Sequence, residues 1–190
     1  MKLLVISDIH GSAYYANKIK EIFIKEKPDK LILLGDLYYH GPRNQFTKDY
    51  NPMQVAKILN ELKSHILAVK GNCDADVDQM ISKFEMVENR ILKVGEKNIF
   101  FTHGHKYNME HIPTEDFDIL VYGHLHTGFI KEKNGKLFVN SGSISLPKND
   151  TKNSYVIINE NQILLKDVDG NIIDDYWWHI SKIFVIKCDI

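Results

Sequence analysis

The feature that most limits the folds open to this chain is a series of short apolar runs, each followed closely by aspartate, histidine or asparagine. In the first half, runs at 3–7, 30–34 and 66–69 alternate with two segments of helical periodicity, 13–27 and the segment that begins at Pro52. Strands that alternate with helices are typical of βαβ units, so we predict a parallel sheet here.

The second half of the chain is predicted to be mostly β-structure. Asn134-Gly135 is a strong signal for a two-residue hairpin turn. The predicted strands of this half lie at 90–94, 99–102, 118–122, 129–133, 136–140, 155–159 and 162–166. Together the halves predict an α/β fold in which two sheets pack face to face with helices outside. Residues 1–190 contain no internal repeat or long linker, so we expect a single domain.

The C-terminal tail at 174–190 diverges from this pattern. It holds both tryptophans of the chain, in Tyr176-Trp177-Trp178, and an apolar run at 183–186 that is compatible with an edge strand. Two interpretations stand side by side: the tail adds a strand to a sheet, or its aromatic residues form a contact in a homo-oligomer.

The charge balance argues against specific binding to nucleic acid or to an anionic membrane. Lys and Arg total 24 and Asp and Glu total 25, which gives a formal net charge of −1. No apolar stretch of the sequence approaches the ~20 residues that span a bilayer. The two cysteines, Cys73 and Cys188, do not make a disulfide framework, so we expect a cytoplasmic protein.

The polar residues that follow the apolar runs are donors suited to divalent transition metals. Asp, His and Asn supply the oxygen and nitrogen ligands that Mn, Fe, Zn and Ni accept. These residues are Asp8, His10, Asp36, Asn72, His103, His124 and His126. In extended backbone, residues i and i+2 point the same way, so Asp8 and His10 are predicted to face one ion. The same reasoning applies to the two histidines of the 124–126 motif.

The motifs taken together indicate a metal site, whereas each of them alone does not. A carboxylate has two oxygens and can bridge two cations, and two metals about 3.5–4 Å apart can stabilise both ends of a phosphoryl displacement. Each motif alone has an ordinary explanation as an Asx turn or a surface histidine. Five motifs in this order, each at the end of a strand, favour a metal site over unrelated turns.

The order D-x-H, G-D, G-N-x-D, H and G-H-x-H resembles the calcineurin-like metallophosphoesterase superfamily. Within it, the chain is similar to the bacterial YfcE-type phosphodiesterases. That similarity lies in the strings S-D-I-H-G-S from Ser7, H-G-P-R-N from His40, G-N-C-D from Gly71, V-D-Q-M from Val77 and T-H-G-H from Thr102. The resemblance covers about residues 1–166, and the combined motifs are highly specific for the superfamily.

The resemblance implies a metal-dependent phosphodiesterase with a four-layer α/β/β/α sandwich fold. One metal would be held by Asp8, His10, Asp36 and His126, and the other by Asp36, Asn72, His103 and His124, with Asp36 as the bridge. Mn²⁺ is the expected ion, and Zn²⁺, Fe²⁺, Ni²⁺ or Co²⁺ would compete. A hydroxide that bridges the metals would attack a small phosphate diester, while Asn72 neutralises charge on the phosphoryl oxygens.

Cys73 departs from the superfamily pattern, in which a histidine usually follows the asparagine and protonates the leaving oxygen. A thiol with an ordinary pKa of about 8.5 is a poorer proton donor, which favours substrates with good leaving groups. The alternative is that Cys73 only fills space near the metals. Asp74 is grouped with Asn72 and Cys73 as catalytic, either orienting the thiol or capping a turn.

Three further polar residues are predicted to contact the substrate. His40 and Arg43 lie in the loop after the second strand, and Arg43 is suited to a non-bridging phosphate oxygen. An ordinary surface arginine in a turn is the alternative for Arg43. His105 lies two residues past His103 and is expected to contact phosphate or to support a metal ligand, without binding metal itself. The segment Asn140-Ser141-Gly142-Ser143 is expected to form hydrogen bonds behind the metal ligands.

Two other functions are compatible with this fold: a phosphomonoesterase or nucleotide hydrolase, and a non-catalytic protein-binding scaffold such as the retromer subunit. The absence of the superfamily's histidine at position 73 weighs against the first. The complete set of seven metal donors weighs against the second, because a scaffold does not need them.

Overall fold

The computed structural model describes residues 1–178. Its helices are α1 (Ala13–Glu26), α2 (Pro52–Glu61) and the one-turn α3 (Asp78–Ile81). Its strands are β1 (Leu3–Ile6), β2 (Lys30–Leu33), β3 (Ile66–Val69), β4 (Met86–Val87), β5 (Asn89–Val94), β6 (Lys97–Thr102), β7 (Ile119–Tyr122), β8 (Gly128–Lys133), β9 (Lys136–Ser141), β10 (Ser154–Ile158), β11 (Gln162–Asp167) and β12 (Ile172–Trp177). The predicted elements are present with ends that differ by two residues or fewer, and α3, β4 and β12 are additional.

Two mixed sheets form the body of the molecule. The larger has the strand order β12-β11-β10-β1-β2-β3-β4, in which β1 to β4 are parallel. The smaller has the order β5-β6-β7-β9-β8, with parallel β6, β7 and β9 at its centre. The parallel strands of both sheets therefore end in loops that carry the predicted motifs.

Alternate residues of the central strands face two different apolar layers. Leu3 and Val5 of β1 pack between the sheets with Val121 of the smaller sheet. Leu4 and Ile6 point the other way and pack beneath the helices. The larger sheet is therefore buried on both faces, which explains why β1 is apolar at every position.

Both long helices begin at side-chain caps and lie on the outer face of the larger sheet. Ser12 Oγ accepts the amide of Tyr15 at 3.3 Å before α1, and Asn51 Oδ1 accepts the amide of Gln54 at 3.0 Å before α2. The buried residues of the two helices are Ala13, Ala16, Ile19, Ile22, Val55, Ala56, Ile58 and Leu59.

The outer face of the smaller sheet is covered in a different way. Phe100, Leu120 and Phe138 lie on this face and pack against Tyr107 and Met109 of the loop that joins β6 to β7. In the described structure this loop contains no helix, so a loop occupies the position of the fourth layer. The predicted fold class, two mixed sheets with flanking helices, is confirmed.

The described part of the tail forms an edge strand. β12 pairs antiparallel with β11, and Trp177 is exposed at this edge. The predicted strand at 183–186 lies outside the described residues, and the homo-oligomer contact stays a prediction. Within residues 1–178, no helix has both the length and the apolar character needed to cross a membrane.

Candidate metal centre

Seven predicted ligands lie directly after strands whose carboxyl ends share one edge of the molecule. They are Asp8 and His10 (after β1), Asp36 (β2), Asn72 (β3), His103 (β6), and His124 and His126 (β7). Polar loops at the carboxyl ends of parallel strands are the usual place for sites in open α/β sheets. The shared edge explains how residues more than 100 positions apart come together.

The backbone at five of these residues is left-handed. The φ angles lie between 47° and 62° at Asp8, His10, Asp36, His124 and His126. Residues other than glycine rarely adopt this conformation. The prediction that extended geometry aims residues i and i+2 at one ion is therefore wrong in its mechanism, because left-handed turns bring the side chains together.

His10 and His126 form a pair of facing rings. Nδ1 of His10 donates to the carbonyl of Tyr39 at 2.8 Å, and Nδ1 of His126 donates to the carbonyl of Leu146 at 2.6 Å. A carbonyl only accepts, so each ring carries a proton on Nδ1 and presents Nε2 to the site. The two Nε2 atoms lie 3.2 Å apart. Two lone pairs at this distance repel each other unless a cation or a proton lies between them.

Asp8 adds a buried carboxylate to this pair of rings. Its Oδ1 lies 3.2 Å from Nε2 of His126 and 3.5 Å from Nε2 of His10, and it has no hydrogen-bond donor. Burial opposes ionisation, but the two rings hold the pKa of Asp8 well below its usual range. A buried charged oxygen without a donor is costly unless it binds a cation, so these residues fit a divalent metal.

A second group of donors surrounds His103. Nδ1 of His103 donates to the carbonyl of Leu34 at 2.7 Å. Its Nε2 then faces Oδ1 of Asn72 at 3.0 Å and Nδ1 of His124 at 3.2 Å. Burial opposes a charge on His103, yet the hydrogen bond to Asp36 and the neighbouring carboxylates raise its pKa to about 9. The pocket therefore favours a positive charge at this point as well.

Asp36 lies between the two groups. Its Oδ2 is 3.7 Å from Nε2 of His10 and 3.4 Å from Nε2 of His103, while Oδ1 accepts the amide of Cys73 at 2.8 Å. One carboxylate thus faces rings of both groups, as a bridging ligand must. Three overlapping sets of described residues have ligand atoms within 4.8 Å of one another: Asp8–His10–His126, His10–Asp36–Cys73 and Asp8–Asp36–His103.

Two glycines permit the close packing of this centre. A Cβ on Gly71 would lie 2.1 Å from Oδ1 of Asp36, and a Cβ on Gly123 would lie 1.9 Å from Oγ of Ser7. Both distances are far inside van der Waals contact. Any side chain at either position would displace Asp36 or the backbone that leads into His124.

Asp74 positions the loop that carries Asp36. Its Oδ2 accepts the amides of Asp36 at 2.7 Å and Gly71 at 2.8 Å, and its Oδ1 accepts the amide of Leu37 at 2.8 Å. The residue is buried, and these three partners are all backbone groups. These contacts agree with turn capping, one of the two roles predicted for Asp74, and its catalytic role stays a prediction.

The Cys73 side chain points toward the metal-ligand candidates. Its Sγ belongs to the set with His10 and Asp36 and accepts a hydrogen bond from Nδ2 of Asn72 at 3.3 Å. Burial and the charge of Asp36 raise the pKa of the thiol to about 12. The thiol therefore holds its proton at neutral pH, which is compatible with both predicted roles, proton donor and space filler.

A cleft of about 680 Å³ opens onto these donors. The residues that line it fall into two groups: the candidate ligands with their neighbour, which we call its inner end (His10, Asp36, Asn72, Cys73, His124 and His126), and the remaining residues, which we call its outer wall (Tyr39, Gly41, Pro42, Arg43, Asn44 and Lys148). Arg43 thus lines the cleft, and its contact with a substrate stays a prediction. Lys148 was missed, because a single lysine in a polar turn carries no signal in the sequence.

The other two predicted substrate contacts do not line this cleft. The His40 ring packs on Phe46 at 4.7 Å and Tyr50 at 5.2 Å between ring centroids, so the residue belongs to an aromatic cluster, and its predicted substrate contact stays a prediction. His105 is exposed, with its ring 5.4 Å from that of His103 and 6.3 Å from that of His124. It lies beside the centre without facing the cleft.

The segment that follows β9 supports the site from behind, as predicted. Asn140 Nδ2 donates to the carbonyl of Gly123 at 2.6 Å. The hydroxyls of Ser143 and Ser145 both donate to the carbonyl of Asp8 at 2.8 Å. These bonds fix the backbone of both sheets next to the candidate ligands.

Comparison with known proteins agrees with this geometry. The model of the calcineurin-like phosphoesterase superfamily domain matches residues 1–162. Phosphodiesterase YfcE of Escherichia coli strain K12 is 39% identical over 168 residues, which cover 86% of this chain and 90% of that protein. A solved structure of YfcE matches with a TM-score of 0.90 and 34% identity, covering 93% of this chain and 99% of that chain.

Two more distant proteins extend the comparison. The probable metallophosphoesterase YsnB of Bacillus subtilis is 32% identical over 187 residues, which cover 92% of this chain and 96% of that protein. Wild-type Vps29 of Entamoeba histolytica, solved in complex with Zn²⁺, shares the fold with a TM-score of 0.61 and 22% identity, over 93% of this chain and 99% of that chain. By family model and by sequence identity, this chain belongs to the calcineurin-like phosphoesterase superfamily.

Proposed function

We propose that this protein is a metal-dependent phosphodiesterase that hydrolyses small phosphate diesters in the cleft above Asp36. Membership of the phosphoesterase superfamily and 39% identity to a phosphodiesterase support the reaction class. The cleft volume of about 680 Å³ is adequate for a small organic phosphate.

The observation that carries this proposal is the pair of facing imidazoles. His10 and His126 have their Nδ1 atoms committed to carbonyls and their Nε2 atoms 3.2 Å apart. Asp8 Oδ1 lies beside both rings without a hydrogen-bond donor. These three atoms are stabilised by a cation or a proton between them, and neutral imidazole with carboxylate is a typical transition-metal ligand set.

Two divalent cations fit the donors. One would be held by Asp8, His10, Asp36 and His126, and the other by Asp36, Asn72, His103 and His124. Mn²⁺ is the proposed ion, although Zn²⁺, Fe²⁺, Ni²⁺ and Co²⁺ accept the same types of ligand. When bound, such cations supply Lewis acidity, which lowers the pKa of water and neutralises charge on phosphoryl oxygens.

The residues of the chain orient the diester and hold a proton near its leaving oxygen. Asn72 is exposed to the cleft, so its amide can donate to a phosphoryl oxygen as charge develops there. Cys73 keeps its proton on Sγ beside His10 and Asp36. Because a thiol is a poorer proton donor than an imidazolium, we expect a preference for diesters with good leaving groups.

The test is hydrolysis of bis(p-nitrophenyl) phosphate after the metal has been stripped and Mn²⁺ added back. We expect activity that depends on Mn²⁺ and is lost in Asp36→Asn. Hydrolysis of p-nitrophenyl phosphate, measured in parallel, separates a diesterase from a monoesterase. A metal-loaded wild type that binds two ions and cleaves neither ester would contradict catalysis and favour the alternative of a protein-binding scaffold.

We further propose a cytoplasmic location and small-molecule substrates. Cys73 is a free, half-buried thiol in the site, and free thiols are typical of a reducing compartment. The net charge of −1 does not favour nucleic acid as a partner. Separation of cell fractions, followed by detection of the tagged chain, tests the location.

A further inference from the structure

Two cations on the outer wall of the cleft have no partner in the described structure. Arg43 and Lys148 both line this wall. Within residues 1–178, neither side chain takes part in a salt bridge or a side-chain hydrogen bond. Other exposed lysines do form pairs, such as Lys106 with Glu88. The two free cations therefore face the same solvent-filled space.

The loop of Arg43 is tied to one of the facing imidazoles. Tyr39, at the start of this loop, accepts the ring proton of His10 at 2.8 Å. Thr47, at its far end, donates its hydroxyl to the carbonyl of His10 at 3.1 Å. Between them, Asn44 Nδ2 donates to the carbonyl of His40 at 2.8 Å. The loop is held at both ends, so Arg43 is presented next to the His10 side of the centre.

Lys148 is tied in the same way to the second imidazole. Its amide donates to the carbonyl of His126 at 3.0 Å. Thr151 closes the turn by donating its hydroxyl to the carbonyl of Lys148 at 2.7 Å. Since His10 and His126 are neighbours, both cations are anchored to the same half of the centre.

The charges of the cleft are divided between its two ends. Its one carboxylate among the lining residues is Asp36, a candidate metal ligand at the inner end. The outer wall carries Arg43 and Lys148 with no acidic residue. A simple diester has a single negative charge, which lies at the reacting phosphate. A second anionic group on the substrate would therefore meet two cations that have no side-chain partner among the described residues.

We propose that Arg43 and Lys148 form a second anion-binding subsite, so that the preferred substrate is a phosphate diester whose non-leaving ester group carries a further anionic group. This inference rests on the proposed phosphodiesterase function and specifies its substrate class. It also moves Arg43 from the reacting phosphate, where the sequence placed it, to the remote end of the substrate.

The kinetic test uses two diesters of matched shape, 4-carboxyphenyl p-nitrophenyl phosphate and 4-carbamoylphenyl p-nitrophenyl phosphate. Both release p-nitrophenolate, so the remote charge is the main difference between them. We expect kcat/KM to be about tenfold higher for the carboxylate. Arg43→Gln and Lys148→Gln should each reduce this ratio about fivefold, and Lys63→Gln, at an exposed lysine outside the cleft, should leave it unchanged. A wild-type ratio near one, with the carbamoyl diester hydrolysed, would overturn the subsite and leave the phosphodiesterase intact.

A binding measurement decides the subsite without turnover. Calorimetric titration of the Mn²⁺-loaded protein with 4-carboxyphenylphosphonate and 4-carbamoylphenylphosphonate involves no cleavable ester. Tighter binding of the carboxylate that is lost in both glutamine variants supports the subsite, even if neither diester is hydrolysed. Equal affinities for the two phosphonates would overturn it. Failure of hydrolysis alone would count against the proposed function.

Discussion

Two carboxylate centres in this molecule, one half-buried and one buried, are neutralised in different ways. At the end of α1, Glu26 accepts hydrogen bonds from Lys166 at 2.5 Å and Tyr155 at 3.1 Å on Oε1, and from Lys2 at 2.9 Å on Oε2. Burial opposes its charge, yet these donors lower the pKa of Glu26 to about 2. The Glu26 centre therefore contains its own permanent cations.

The metal centre lacks such cations. In the described part of the chain, the salt-bridge partners of Asp8 and Asp36 are all histidines. Imidazole changes its charge near neutral pH and offers a lone pair when neutral. Lysines neutralise the charge of a carboxylate, so the group serves as a structural contact. Neutral imidazoles do not neutralise it, so the carboxylate remains available to bind an added cation. The predictions below test this difference.

The largest expected effect comes from Asp36→Asn. An amide cannot bridge two cations as a carboxylate does, so we expect kcat for bis(p-nitrophenyl) phosphate to fall about 10³-fold. Metal analysis after dialysis should show fewer bound ions per chain. The matched control is Glu26→Gln, which removes a half-buried carboxylate outside the cleft and should keep both activity and metal content. Equal losses of activity and bound metal in Asp36→Asn and Glu26→Gln would contradict the proposed difference between the two centres.

Metal binding should raise the free energy of unfolding through the Asp36 centre and not through the Glu26 centre. At a Mn²⁺ concentration of 100 times Kd, the added stability is about 2.7 kcal/mol, or roughly 5–10 °C in Tm for a domain of this size. Thermal unfolding followed by circular dichroism, with and without chelator, measures the shift. We expect the same shift in Glu26→Gln and a much smaller one in Asp36→Asn. A full shift in Asp36→Asn would show that the ion binds elsewhere.

The contribution of Glu26 to the free energy of unfolding should depend on pH and not on metal. Its pKa falls from 4.5 unfolded to about 2 folded, so its contribution is fully present above pH 4.5 and is lost as the pH falls toward 2. We expect Glu26→Gln to be about 1–2 kcal/mol less stable at pH 7, after allowance for solvent screening. Urea unfolding at pH 7 and at pH 3 should show the difference between wild type and variant shrinking at the lower pH. A constant difference would contradict the ion pairs as its cause.

The smallest expected effect is that of Cys73→Ala. If the thiol donates a proton, the variant should lose about fivefold in kcat on a diphenyl phosphate and less than about twofold on bis(p-nitrophenyl) phosphate, because the poorer leaving group needs the proton more. Cys73→Ser should restore part of the loss. Equal small losses on both substrates would favour the role of a space filler.

Strand positions and metal donors could be predicted because both depend on local pattern. β3 was predicted with its observed bounds from an apolar run alone, and Asp36 was assigned from its place after a glycine at a strand end. The residues that were missed or misplaced depend on contacts distant in sequence. Asp74 binds amides that lie 37 and 38 residues earlier in the chain, and Lys148 depends on the fold of the turn beside His126.

The same limit applies to conformation. Nothing in the local sequence around His124 indicates a left-handed backbone, because the tertiary fold imposes it on a residue that does not prefer it. His40 also illustrates the limit, since its neighbours Phe46 and Tyr50 draw it into an aromatic cluster that residue type alone does not indicate. The helix expected over the smaller sheet is replaced by a loop for a similar reason, because Tyr107 and Met109 cover the apolar face without one.

The left-handed turns at five candidate ligands limit whether this centre could be transferred to another protein. Each non-glycine residue in that conformation costs on the order of 1 kcal/mol, so together they oppose about 5 kcal/mol of a typical domain stability of 5–15 kcal/mol. Glycine at His124 would relax the metal-free chain and remove a donor, which sets stability and metal affinity in opposition at that position. Grafting the seven side chains onto another sheet edge would therefore not reproduce the centre unless the turns were transferred with them.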